Sequence, residues 1–114
     1  MAVVAVVRSE TSVGIDISWS ALAATDTGAP VEMPDVQDFS VQFQFVAGTT
    51  PSAQLEGSND GTNWHLLTDP QGVDIVKTLS DLEQVSENPR YVRPNCTAGT
   101  GVNLNVLIHG RRNR

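Results

Sequence analysis

The chain has 114 residues, 39% of them apolar, and a formal net charge of −6. That length suits one domain, and a chain of this mass buries roughly 65% of its unfolded surface, so a core forms without staples. A single cysteine, Cys96, excludes an internal disulfide, and one Cys with two His is too poor a donor supply for a structural zinc site.

The charge is unevenly placed. Arg111, Arg112 and Arg114 are three of the seven basic residues, which leaves residues 1–110 with four basic against thirteen acidic side chains, a net of −9. A body this acidic repels phosphate, so nucleic acid is not an expected partner. The terminal arginines read as a short basic tail, 111–114, able to meet an acidic partner.

The N-terminal run Ala2-Val3-Val4-Ala5-Val6-Val7 ends at Arg8. It falls far short of the roughly 20 apolar residues a membrane span needs and has no basic leader, so neither a membrane partner nor an export signal is expected, and synthesis is expected in a cytoplasm. Unalternated Val/Ala suits a strand covered on both faces, or an arm (residues 1–8) lying against another chain. Val13, Ile15, Ile17 and Trp19 then alternate with Gly14, Asp16 and Ser18, the pattern of a half-buried strand. Residues 20–35 read as a long loop: Ala21–Ala24 offers one helical turn at most before Gly28, Pro30 and Pro34. Loops of that length tend to be functional or partner-bound.

The clearest strand is 38–46. Phe39, Val41, Phe43 and Phe45 share one parity and hold all three phenylalanines, so this face should centre the core. Ser40, Gln42 and Gln44 face the other way, uncharged and compatible with water or with a protein contact. Two apolar runs then flank Ser58-Asn59-Asp60-Gly61-Thr62-Asn63, and Asp60-Gly61 is a strong hairpin signal. Trp64 follows and is expected in the core. Asp69-Pro70-Gln71-Gly72 marks another turn, and Ser80-Asp81-Leu82-Glu83 reads as a capped helical turn. Strands are expected at Arg90–Arg93 and at Val102–Ile108, where Val102, Leu104, Val106 and Ile108 share a face. Seven or eight short strands with regular turns and no credible helix predict an all-β fold: a single antiparallel β-sandwich domain over 1–114, of jelly-roll type.

No catalytic constellation emerges. His65 and His109 are distant in sequence and suit surface positions, Cys96 has no nucleophile motif around it, and no phosphate-binding or zinc-protease motif occurs, so neither enzyme activity nor a cofactor is expected. Asn59–Asn63 is rich in oxygen donors but lacks the spacing and closing Glu of a calcium loop, and a turn held by Asn and Asp side chains accounts for it better.

Two segments carry a resemblance. Glu56-Gly57-Ser58-Asn59-Asp60-Gly61-Thr62-Asn63-Trp64, followed about 25 residues later by Pro89-Arg90-Tyr91-Val92-Arg93, resembles the strand-turn-strand and returning strand of discoidin-like jelly rolls. With the chain length and the apolar N-terminal arm, the pair is similar to small capsid decoration, or cement, proteins of tailed double-stranded DNA bacteriophages. The chain departs from secreted discoidin-like lectins in having no paired cysteines. The resemblance implies a virion protein on the capsid surface, bound to the major capsid protein as a homodimer or homotrimer and bridging capsid subunits. The contacts it would use are expected at Val3, Val4, Val6, Val7 and Arg8 of the arm, at Pro30 and Pro34 of the long loop, and at Arg111, Arg112 and Arg114 of the tail. The alternative is a carbohydrate-binding module of a phage tail or fibre that stacks sugars on Trp19, Trp64 or Tyr91.

Overall fold

Alternation along the chain sorts side chains to two sides before any tertiary contact is made, and the computed structural model follows it. The structure describes residues 2–12, 14–33 and 36–112. In chain order its elements are β1 (Val3–Val4), β2 (Val6–Glu10), β3 (Gly14–Leu22), β4 (Thr27–Gly28), β5 (Val31–Glu32), β6 (Val36–Ser58), β7 (His65–Leu66), β8 (Val76–Lys77), β9 (Asp81–Val85) and β10 (Tyr91–Arg112). The fold is all-β, as the alternation predicts.

Two long strands organise it. β6 and β10 run antiparallel from Tyr91 opposite Ser58 to Arg112 opposite Val36. Midway the register slips repeatedly between Cys96 and Leu104, and the ribbon bends. Gly99 sits at this bend with φ 124°, and a Cβ there would lie 2.5 Å from Val102 Cγ2, so the bend requires glycine. Each long strand therefore serves two layers. In the first, β2, β3, the C-terminal part of β10, the N-terminal part of β6 and β9 lie side by side, all antiparallel. In the second, β4 and β5 flank the N-terminal part of β10, while β7 and β8 flank the C-terminal part of β6. The single parallel pairing described is β1 on β4. The result is one sheet folded over on itself into a near-barrel.

The inward parity of both layers forms one core. Ile15, Ile17, Trp19, Val41, Phe43, Val106 and Ile108 enter from the first layer, and Ala53, Leu55, Leu67, Ile75, Val92 and Cys96 from the second. Phe39, Val41 and Phe43 are buried and Phe45 packs partly against them. Val102, Leu104, Val106 and Ile108 are buried as their spacing predicts. Across the open side, Arg8 Nη1 on β2 donates to the Glu32 carbonyl on β5 at 2.7 Å, a strut between the layers.

Four expectations are corrected. The segment 20–35 is stitched into the sheet: β3 continues to Leu22, and β4 and β5 pair with β10, with Val31 and Met33 buried. Its Ala-rich start forms a turn in which Ala23 N donates to Asp26 Oδ2 at 2.9 Å, not a helical turn. Ser80–Glu83 leads into strand β9, because the Ser80 hydroxyl accepts from the Phe45 amide on the neighbouring strand and does not cap a helix. Trp64 is only half-buried. The core indole is Trp19, fully buried, with Nε1 donating to the Ala29 carbonyl at 2.9 Å.

Candidate interaction surfaces

The outward parity gives the two layers different exteriors. On the first layer, one register row crosses all five strands: Val7 faces Ser18, Ser18 faces Leu107, Leu107 faces Gln42, and Gln42 faces Leu82. Val7, Leu107 and Leu82 are 64%, 41% and 61% exposed. The row is thus apolar at both ends and at its centre and uncharged throughout. A hollow of about 340 Å³ lies along it. The adjoining row carries Ser9, Asp16, His109, Ser40 and Gln84 in register. His109 Nδ1 donates to Asp16 Oδ1 at 2.7 Å. The Asp-His-Ser order across this row has the residue types of a nucleophile relay, but the His109 ring sits over Gly14, whose added Cβ would be 3.3 Å from Cε1. The ring is thus held on the β3 side, bonded to Asp16 and against Gly14.

The second layer presents a bonded polar network. Glu56 is 7% exposed. Its Oε1 accepts from Arg93 Nε at 2.9 Å, and its Oε2 accepts from Gln54 Nε2 at 2.6 Å and Asn95 Nδ2 at 3.1 Å. Burial pushes the Glu56 pKa up, but these donors and the Arg93 charge outweigh it and hold the group below its ordinary value. The Arg93 guanidinium lies 4.2 Å from the centre of the Trp64 ring, a cation–π contact that covers one face of the indole.

The hairpin loop is held from within. Asp60 Oδ1 accepts from the Thr62 and Asn63 amides and from the Ser58 hydroxyl, and Oδ2 from Asn63 Nδ2, all within 2.9 Å. The Asn63 and Thr62 amides, foremost, hold the Asp60 carboxyl well below the usual carboxylate range. Gly61 supplies φ 78° and lies against Tyr91. This is the Asn/Asp-held turn that the sequence predicts, with a loop longer than two residues.

The expected contact residues are dispersed around this frame. Val3 and Val7 are exposed, whereas Val4 and Val6 pack on the core. Arg8 is engaged with Glu10 at 3.2 Å as well as with the Glu32 carbonyl. Pro30 is exposed between β4 and β5. Arg111 is exposed within β10, opposite Asp38 and Gly14, and Arg112 continues the strand opposite Val36. Pro34 and Arg114 lie outside the described residues. β2 brings Val7 to the rim of the first layer's outer face, and Arg111 lies on the same face of β10, beyond His109 and opposite Asp38, whereas Pro30 lies between β4 and β5. Sequence reasoning left out Leu82 and Leu107. The signal that finds them is an apolar residue at the outward parity of a strand.

Of the sugar-stacking candidates, Trp19 is removed by its complete burial and Trp64 is partly covered by Arg93. Cys96 is fully buried, and burial raises its thiol pKa, as befits a packed side chain.

No protein-family model matches the chain, and no curated protein matches it. Among solved structures, it is similar to the crystal structure of the SPBc2 prophage-derived protein YomS, with a TM-score of 0.65 and 9% identity over 90% of this chain and 98% of that one. At that identity the likeness is one of fold, and it spans nearly the whole of both chains.

Proposed function

We propose that the chain is a structural protein of a bacteriophage particle that binds the outside of the assembled capsid and stabilises it by bridging neighbouring capsid subunits. The observation that carries this reading is the outer edge of β2. Among the described residues, 6–9 of β2 pair only with β3, so their other edge offers backbone donors and acceptors to a strand of the major capsid protein, flanked by exposed Val3 and Val7. Two things support the phage setting: the resemblance of residues 56–64 and 89–93 to decoration proteins, and the fold shared with a prophage-derived protein. In this reading the protein is made in the host cytoplasm, ends on the virion surface, and performs no chemistry.

The physical action is linkage. A protein that binds the assembled shell and not its free subunits stabilises the shell by about RT ln(1 + [L]/Kd), or ~2.7 kcal/mol at a hundredfold excess over Kd. Particles purified with and without the protein should therefore differ in disruption temperature, the decorated ones being higher. Equal temperatures would sink the proposal. Val3→Asp places a charge beside the proposed strand contact without touching the core, and should lower shell occupancy while leaving the melting curve of the free protein unchanged.

A further inference from the structure

The geometry points to the outer face of the first layer as a two-fold interface between two copies of this chain. It does not rest on the capsid reading, because it concerns the free protein.

Three observations commit the face to a second copy. The first is its symmetry of character. An isologous interface must be self-complementary, since each patch meets its own image. The row Val7, Ser18, Leu107, Gln42, Leu82 alternates apolar and polar across five strands and starts and ends apolar. Reversed by a two-fold axis parallel to the strands and slipped by one strand, the row sets Leu82 of each copy over Ser18 of the other and Leu107 over Gln42. The large side chains then meet small or flexible polar ones, and each Leu82 enters the hollow of about 340 Å³ on the opposite face.

The second is charge. The body to residue 110 carries a net of −9, from four basic and thirteen acidic residues, so most of its surface opposes contact with a copy of itself. The central row holds no charge, and the Asp16 carboxylate beside it is hydrogen-bonded to His109.

The third is area. β3 contributes nine residues and β2 and β9 five each. The slip carries β2 past the partner's edge, so with about ten residues from each long strand, a strand spacing of ~4.8 Å and a rise of ~3.3 Å, the four facing strands cover roughly 540 Å². Two such faces bury about 1,100 Å², above the ~1,000 Å² that a specific interface should clear. Sheet faces pack in this way inside β-sandwiches.

Sedimentation equilibrium of the full chain at tens of micromolar tests this. The wild type should sediment as a dimer of the 12.2 kDa chain, and Leu107→Asp as a monomer with an unchanged far-ultraviolet circular dichroism spectrum. Should that variant fail to fold, Gln42→Lys serves in its place, since Gln42 is exposed and outside the core. A chain carrying both Ser18→Cys and Leu82→Cys should oxidise to a covalent dimer. Within one copy these positions are three strand spacings, or roughly 14 Å, apart, too far for a bridge. A monomeric wild type, a dimer indifferent to both substitutions, or a double-cysteine chain that stays monomeric on oxidation overturns the proposal. A monomeric wild type whose Leu107→Asp variant loses shell binding would assign the face to the capsid instead, so the two readings fail separately.

Discussion

The two layers share a core but have opposite exteriors. On the second layer, the polar outward side chains bind one another, beside exposed Leu66 and Val76: Glu56 binds Arg93, Gln54 and Asn95, and Arg93 lies on Trp64. On the first, the central outward row has an exposed valine and two exposed leucines separated by Ser18 and Gln42. The same two strands build both, since β6 and β10 pass from one layer to the other through the bend. The difference shows that a face without strong internal partners is the one left over for association, while a face with a bonded network contributes to holding the domain together.

The contrast is meaningful only if the layers fold as a unit, and the largest expected effect tests that. Phe43 is fully buried in the first layer. Phe43→Ala should cost about 3–5 kcal/mol, from lost burial and the cavity left behind. Chemical denaturation followed by tryptophan fluorescence and by circular dichroism should give one coincident transition, displaced to lower denaturant. Two separated transitions would break the comparison, because the layers would then be independent bodies.

The second test sharpens the structural role given to the second layer. Glu56→Ala removes the acceptor shared by Arg93, Gln54 and Asn95. Leaving such donors unsatisfied costs about 1–3 kcal/mol, measured as a shift in the denaturation midpoint. A pH series adds the sign. The folded pKa of Glu56 lies below its ordinary 4.5. Its contribution is therefore fully present above the unfolded pKa and is lost as pH falls through the folded one. The stability difference between wild type and Glu56→Gln should shrink steadily as pH is lowered below 4.5. A difference that grows on acidification would contradict the hydrogen-bonded network.

How far these surfaces could be read from sequence follows from where alternation survives. Phe39–Phe45 and Val102–Ile108 keep strict period two, and both take the predicted parity. The continuation of each strand through 47–52 and 97–101 is illegible in sequence, because Gly48, Pro51, Gly99 and Gly101 are turn residues by local chemistry and only the pairing of the two strands makes them a bend. Ser80-Asp81-Leu82-Glu83 has the letters of a helix cap, and it forms a strand because β6 offers an edge to pair with. Trp64 departs from its expected place for a similar reason. Its position after the turn specifies a sheet face but not which one, and Trp19, in phase with Ile15 and Ile17, holds the interior. Uncharged Ser40, Gln42 and Gln44 marked a face open to protein contact, but the apolar Leu82, Leu107 and Val7 beside them lie on three other strands, and only the register assembles them into a row.

The smallest expected effect on stability is the one that distinguishes the faces most directly. Gln42 is exposed in the first layer's outer row, between Leu107 and Leu82. Its Nε2 donates to Gln44 Oε1 at 3.3 Å, a long bond at the surface. Gln42→Lys removes that bond and keeps a side chain of similar length, so folding stability should change by less than about 0.5 kcal/mol, with a melting curve that overlays the wild type under dilute, monomeric conditions. Association is a different matter. The two-fold places Gln42 of each copy against Leu107 of the other, so the variant buries two lysines in a contact with no acidic partner facing them. The dimer should be lost while the fold is retained. A lysine at Val76 on the second layer, also exposed, should leave association intact. If both substitutions weaken the dimer equally, self-association is general and not a property of one face, and the distinction between the two exteriors falls with it.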